Sequence, residues 1–165
     1  MTKIVVVSDS HGLIKELEDI YFRFKDETNY FIHCGDSEMD ENHPILNHYK
    51  SVNGNCDDHM FPNEYIFTVE NKKILVVHGH YHSVKYNLNS LYFYALEKGA
   101  DVVLYGHTHF PSVYQYEDIT FINPGSILGN RGIRGRSYAV LEIKNGKLDV
   151  KHYNALNNKS YDISK

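Results

Sequence analysis

The sequence predicts a mixed-sheet α/β protein. Three observations lead there. Apolar, β-branched strands alternate with an amphipathic helical stretch early in the chain. Later, pairs of strands are joined by two-residue polar turns, and such hairpins are antiparallel where strand–helix–strand units are parallel. Finally, apolar runs end again and again in a tight turn with a carboxylate, amide or imidazole residue. In α/β sheets such loops gather at the carboxyl ends of strands, where ligands bind.

Lys3 to Val7 is β-branched at almost every position, so it reads as a central strand buried on both faces. It ends at Ser8-Asp9-Ser10-His11-Gly12. Leu13, Leu17, Ile20, Tyr21 and Phe24 then recur at helical spacing, predicting a helix to about Glu27. Tyr30 to Cys34 is a second strand that stops at Gly35-Asp36. A short helical segment is expected near Glu41–His48. Ser51-Val52-Asn53 leads into Gly54-Asn55-Cys56-Asp57. Tyr65–Val69 and Lys73–Val77 read as a hairpin about Asn71-Lys72, its second strand ending at His78-Gly79-His80. Asn87 to Lys98 is a helix with Leu88, Leu91, Tyr92 and Leu96 on one side and Gly99 as its stop. Val102 to Tyr105 is a buried strand, followed by Gly106-His107-Thr108-His109. Val113–Tyr116 and Thr120–Ile122 form a hairpin around Glu117-Asp118, and Asn123-Pro124-Gly125-Ser126 is a turn. Tyr138–Ile143 and Leu148–Tyr153 pair across Asn145-Gly146, a strong hairpin signal. The polar tail from Asn154 is expected to be loosely held.

The chain has 165 residues, enough for one domain (1–165) with a substantial core. A net charge of −4 gives no general basic field for nucleic acid. Cys34 and Cys56 are the two cysteines, which suits neither a disulfide framework nor a zinc ribbon and fits a reducing cytoplasm. Asp9 follows the first apolar run too soon for a signal peptide, and no run approaches membrane-spanning length. Fourteen tyrosines leave room for an aromatic homo-oligomer interface.

The ligand-type residues are the informative part. His107 and His109 are two apart, and in an extended segment such residues point to the same side. Asp9 and His11 repeat that spacing. Asp36, Asn55 and His78 stand at three other strand ends. Each has a structural reading: turn former or helix cap for the aspartates, a left-handed turn for Asn55, a hydrogen-bonded core residue for His78. Seven together at one sheet edge would be costly without compensation, and one or two dications would supply it.

Asp9-x-His11, Gly35-Asp36, Gly54-Asn55-x-Asp57, His78-Gly79 and Gly106-His107-x-His109 resemble, in order, the five motifs of the calcineurin-like metallophosphoesterases. The likeness is closest to their small single-domain prokaryotic phosphodiesterases and spans residues 4 to about 126. Asn123-Pro124-Gly125-Ser126 is similar to a late motif of that group. The resemblance implies two mixed β-sheets packed face to face, flanked by helices. It also implies two divalent cations, manganese foremost, with Ni, Fe, Co or Zn also suited to the donors. By position, Asp9, His11, Asp36 and His109 would hold one cation. Asp36, Asn55, His78 and His107 would hold the other, with Asp36 bridging. The implied activity is hydrolysis of a small phosphodiester by a hydroxide between the two cations. Asp36, Asn55, Cys56 and His78 would be the catalytic set. Many relatives carry a histidine after the asparagine, thought to protonate the leaving group; here Cys56 stands there, which leaves the general acid open. A non-catalytic binding scaffold and a phosphomonoesterase are the competing readings. The complete ligand set favours an enzyme over the first, and Cys56 argues against the second. His80 and His82 are near enough to meet substrate or to line an exposed loop. Arg131, Arg134 and Arg136 read as a solvated loop.

Overall fold

The computed structural model describes residues 1–40, 42–58, 61–129 and 135–164. Its elements in chain order are β1 (Thr2–Val7), α1 (Lys15–Phe24), β2 (Tyr30–His33), β3 (Lys50–Ser51), β4 (Glu64–Val69), β5 (Lys72–Val77), α2 (Asn89–Lys98), β6 (Val102–Leu104), β7 (Ser112–Tyr116), β8 (Ile119–Asn123), β9 (Ser137–Lys144) and β10 (Lys147–Asn154). They make two five-stranded mixed sheets, ordered β10-β9-β1-β2-β3 and β4-β5-β6-β8-β7. Within them β1, β2 and β3 run parallel, as do β5, β6 and β8; the antiparallel pairs are the hairpins β4–β5, β7–β8 and β9–β10 and the long-range pair β1–β9.

Side-chain alternation explains why the central strands are apolar at every position. Ile4 and Val6 of β1 face a core shared with Ile74 and Val76 of β5 and with Val102 and Leu104 of β6. That core lies between the sheets. Val5 and Val7 point the other way, onto Leu17, Ile20 and Phe24 of α1. Leu75, Val77 and Val103 turn outward onto Leu91 and Ala95 of α2. The layers are therefore helix, sheet, sheet, helix. Both faces of the parallel strands are covered, which is the condition for parallel pairing, while the edge strand β7 is largely exposed.

Several elements differ from expectation. α1 is confined to Lys15–Phe24, with Leu13 and Ile14 packed as a lead-in and turns following it. The segment near Glu41–His48 is only a 3₁₀ turn over Pro44–Asn47, capped by the His43 ring accepting from the Ile45 amide at 3.2 Å; Glu41 lies outside the described residues. Just two of its residues, Ile45 and Leu46, are buried, too few to anchor a longer helix. The β4–β5 turn is Glu70-Asn71, because Val69 pairs with Lys72; both turn residues have positive φ, as a two-residue hairpin requires. Leu96 is half exposed, and Ala95 takes the buried place on α2. The tail is tied back rather than loose. The Asn154 amide donates to Lys159 O at 2.8 Å, and the Tyr161 amide donates to His152 O at 2.8 Å. Asn158 Oδ1 accepts from the Tyr138 hydroxyl at 2.7 Å; that ring is fully buried, and its hydroxyl needs a partner.

Candidate metal centre

β1, β2, β3, β5 and β6 deliver the seven ligand-type residues from their carboxyl ends. The loops are tied together by main chain. The Asp9 amide donates to Gly35 O and the His11 amide to Asp36 O, both at 3.0 Å; the Gly106 amide donates to His78 O, also at 3.0 Å. Glycine at two of these turns is a matter of room. A Cβ on Gly54 would stand 2.0 Å from Asp36 Oδ1, and one on Gly106 would stand 2.0 Å from Ser8 Oγ and 2.7 Å from Asp9 Oδ2. The ligand carboxylates lie directly on glycine backbone.

The structure brings the seven residues into overlapping groups. Donor atoms of Asp9, His11 and His109 form one, and those of Asp36, His78 and His107 another; His11, Asp36 and Cys56 form a third that spans the two. Asn55 joins the second group, its Oδ1 3.0 Å from His78 Nε2. Asp36 belongs to both sides of the cluster. Its Oδ2 is 3.2 Å from His78 Nε2, and its Oδ1 accepts from the Cys56 amide at 2.8 Å.

The donor set fits a cation. Asp9 is fully buried; its Oδ2 accepts from Ser8 Oγ at 2.6 Å and the His107 amide at 3.1 Å. Its Oδ1 is buried and has no hydrogen-bond partner among the described residues. Around it stand His109 Nε2 at 3.3 Å and His11 Nε2 and His78 Nε2 at 3.8 Å. Each of these rings has its other nitrogen committed as a donor. His78 Nδ1 donates to Cys34 O at 2.7 Å, His109 Nδ1 to Gly129 O at 3.2 Å, and His11 Nδ1 to the Glu38 carboxylate. Lone pairs therefore converge on an unpartnered carboxylate oxygen. A divalent cation satisfies all of them at once.

Without a cation the same carboxylates favour protons on the rings: Asp9 raises His109, and burial of His78 is outweighed by Asp36 and Asp9, which raise it, so a cation would take the place of those protons. Burial pushes the Asp9 carboxyl up, but His109 and His78 outweigh it and hold the group below the usual carboxylate range. Burial also opposes ionisation of Asp36, yet His78 and the Cys56 amide pull it well below that range. His107 falls to about 4 through burial and the neighbouring His78, so it stands neutral and able to ligate. The exposed Cys56 thiol is pushed up to about 11 by desolvation and the charges of Asp36 and Glu38.

The chain's residues 2–146 match the model of the calcineurin-like phosphoesterase superfamily domain. The chain belongs to that superfamily. It is 42% identical over 161 residues to the probable metallophosphoesterase YsnB of Bacillus subtilis, covering 97% of this chain and 95% of that one. It is 28% identical to the phosphodiesterase MJ0936 of Methanocaldococcus jannaschii, covering 77% and 85% of the two chains. The crystal structure of a conserved Streptococcus pneumoniae protein, described as a predicted phosphoesterase, superposes with a TM-score of 0.89 at 32% identity, covering 97% and 92%. The protein is a metal-dependent phosphoric ester hydrolase, and the family uses divalent metals.

Other residues named from the sequence fall as follows. Cys34 is fully buried in the inter-sheet core. His80 lies beside the site, its ring 5.3 Å from His78 and 6.2 Å from His107, with a buried Nδ1 that has no hydrogen-bond partner among the described residues. His82 packs on Tyr94 across a cavity of about 260 Å³. Arg136 pairs with Glu16 at 3.6 Å, and Arg131 and Arg134 lie outside the described residues.

Residues without a predicted role hold the site together. Asp57 accepts from the amides of Asp36 and Gly54 at 2.8 Å and Glu38 at 3.0 Å, clasping two loops. Ser126 donates to Asp9 O at 2.8 Å and accepts from the Leu128 amide at 3.0 Å. His33 is fully buried; its Nδ1 accepts from the Gly35 amide at 3.1 Å and its Nε2 donates to Ser10 Oγ at 2.9 Å. Asp57 and Glu38 each lie two residues past a ligand, the spacing of Asp9 with His11, and that was their sequence signal.

Proposed function

We propose that residues 1–165 act as one cytoplasmic phosphodiesterase domain that hydrolyses a small phosphodiester with two divalent cations. The observation that supports this best is the position of Asp36, whose carboxylate shares donor groups with His11 on one side and with His78 and His107 on the other. In this reading Asp9, His11, Asp36 and His109 hold one cation, manganese foremost, and Asp36, Asn55, His78 and His107 hold the second. Bound there, the cations polarise the phosphoryl oxygens and make a water acidic enough to attack near neutral pH.

The chain's own residues then have definable tasks. Asp36 ties the halves of the site, and its position is set by the Cys56 amide and the Gly54 backbone. Asn55 contributes a neutral oxygen, so its group gains no further negative charge to repel an anionic ester. His78 is locked by Cys34 O to present Nε2. Cys56 stands at the rim, beside the Asn55 amide nitrogen at 3.5 Å and within the His11–Asp36 donor group, and next to bound dications its thiol would be drawn towards thiolate, which has no proton to give. Diesters whose leaving groups need no proton are therefore the favoured substrates. The test is a screen of aryl and alkyl phosphodiesters and phosphomonoesters with protein reconstituted in excess Mn. Aryl diesters should turn over fastest. Monoesters cleaved faster than every diester would overturn the reading.

A further inference from the structure

The geometry points to Glu38 as the residue that orients one metal ligand, His11, and thereby sets the affinity of a single cation site. This inference rests on the two-cation reading above. The three imidazoles around Asp9 Oδ1 are anchored differently. His78 and His109 give Nδ1–H to main-chain carbonyls, of Cys34 and Gly129. His11 alone gives it to a carboxylate, that of Glu38. A carboxylate on the far nitrogen fixes the proton there, leaves the near nitrogen as a lone pair, and strengthens its donation to a cation.

Glu38 is itself built into place. Its backbone has φ of 49°, in the left-handed region, and its amide donates to Asp57 Oδ1 at 3.0 Å. Asp57 also accepts from the amide of Asp36. One carboxylate thus clasps both Asp36 and the residue that steers His11. The Gly12 amide donates to Ser37 O at 2.7 Å, which ties the His11 loop to the Glu38 loop from the other side. The Glu38 side chain is 43% exposed. An exposed carboxylate has no packing reason for a left-handed backbone, whereas a role in aiming the His11 ring accounts for both.

Loss of such a partner typically lowers metal affinity 10–100-fold. The experiment is a competition titration of Mn against a chromophoric chelator, with wild type, Glu38→Ala, Glu38→Gln and His109→Ala. His109→Ala marks which site contains His11. In Glu38→Ala that site should weaken 10–100-fold while the other stays within about threefold, with the thermal midpoint of metal-free protein unchanged. Glu38→Gln keeps the shape and an acceptor oxygen, so it should lose less, and it serves if the alanine variant fails to fold. Wild-type affinity at both sites, or equal weakening of both, would overturn the role of Glu38. Wild type binding one cation would sink the two-cation reading instead. If that one cation also ignored Glu38, both inferences would fall.

Discussion

Gly54→Ala is the sharpest test of how this site is assembled. The added methyl would stand 2.0 Å from Asp36 Oδ1, 2.4 Å from the Asp36 amide nitrogen and 2.7 Å from its Cγ. Real Cβ contacts essentially never fall below 3.0 Å, so the Asp36 carboxylate must retreat by about 1 Å, and its backbone with it. That motion breaks into two sets of bonds. Asp36 Oδ1 leaves the Cys56 amide at 2.8 Å, and the amides of Asp36 and Gly54 strain against the one Asp57 oxygen they share. Overpacking of this kind costs about 1–3 kcal/mol, and misplacing a positioned group by 1 Å costs about 100-fold in rate. The control is Gly146→Ala. Nothing lies within 4 Å of a Cβ there, but φ is 76°, so it should lose about 1 kcal/mol and no activity. The assay pairs urea unfolding with turnover of an aryl phosphodiester in excess Mn. A Gly54→Ala protein that lost stability yet kept turnover within threefold of wild type would refute the idea that this glycine exists to seat Asp36.

Three further outcomes follow from the same geometry. Asp36→Asn should abolish turnover more completely than Asn55→Ala, since one carboxylate serves both groups and the amide serves one; near-normal turnover of Asp36→Asn with two bound cations would contradict the sharing. Cys56→His should flatten the dependence of rate on leaving group across substituted phenyl diesters, because an imidazolium is better matched to proton donation near pH 7 than a cysteine held beside two dications; equal slopes at matched metal content would exclude position 56 from proton transfer. Burial holds His33 neutral, lowering it from 6.5 to about 4, so the unfolded chain binds the extra proton and stability present above pH 6.5 is lost as pH falls toward 4. The full effect is about 3 kcal/mol, and urea titrations of metal-free protein should show a steeper acid loss for wild type than for His33→Gln.

Much of the fold was legible because the informative strands are buried on both faces. Ile4-Val5-Val6-Val7 cannot be a half-exposed strand, and its split between two cores follows from alternation alone. Alternation does not say which second layer each face meets. The pairing of the two sheets came from the ordered motifs, not from periodicity. The site was legible for a related reason: a strand end, a glycine and a ligand are local neighbours in sequence. What was missed is non-local or shifted by one residue. The tail is held by the Arg23 guanidinium donating to Asn158 O at 3.0 Å, a contact 135 residues apart that no window detects. The β4–β5 turn moved to Glu70-Asn71 because sheet register decides which pair must take positive φ. Asp57 and Glu38 were visible through their spacing from a ligand but silent as to partner, since nothing in that spacing says that Asp57 accepts main-chain amides while Glu38 accepts from the His11 ring.

The backbone of the site shows where folding stability is traded for chemistry. Asp9, His11, Asp36, Glu38, His107 and His109 all sit in the left-handed region, with φ between 43° and 72°. Each such residue costs about 1 kcal/mol or more relative to ordinary geometry. Six of them approach the whole net stability of a typical domain, about 5–15 kcal/mol. Glycine would relieve that cost at every one of these positions and would remove a side chain the site uses. The conformation persists because the loops are tied from several directions at once. The amides of Asp9, His11 and Gly12 donate to the β2 loop, the His107 amide donates to Asp9 Oδ2, and Ser126 holds Asp9 O. In this geometry Asp9 and His11 share one donor group, while His107 and His109 divide between the two. The strain and the hydrogen-bonded loops are thus parts of one device, and weakening the ties at Asp57 or Ser126 should disperse the ligands before it unfolds either sheet.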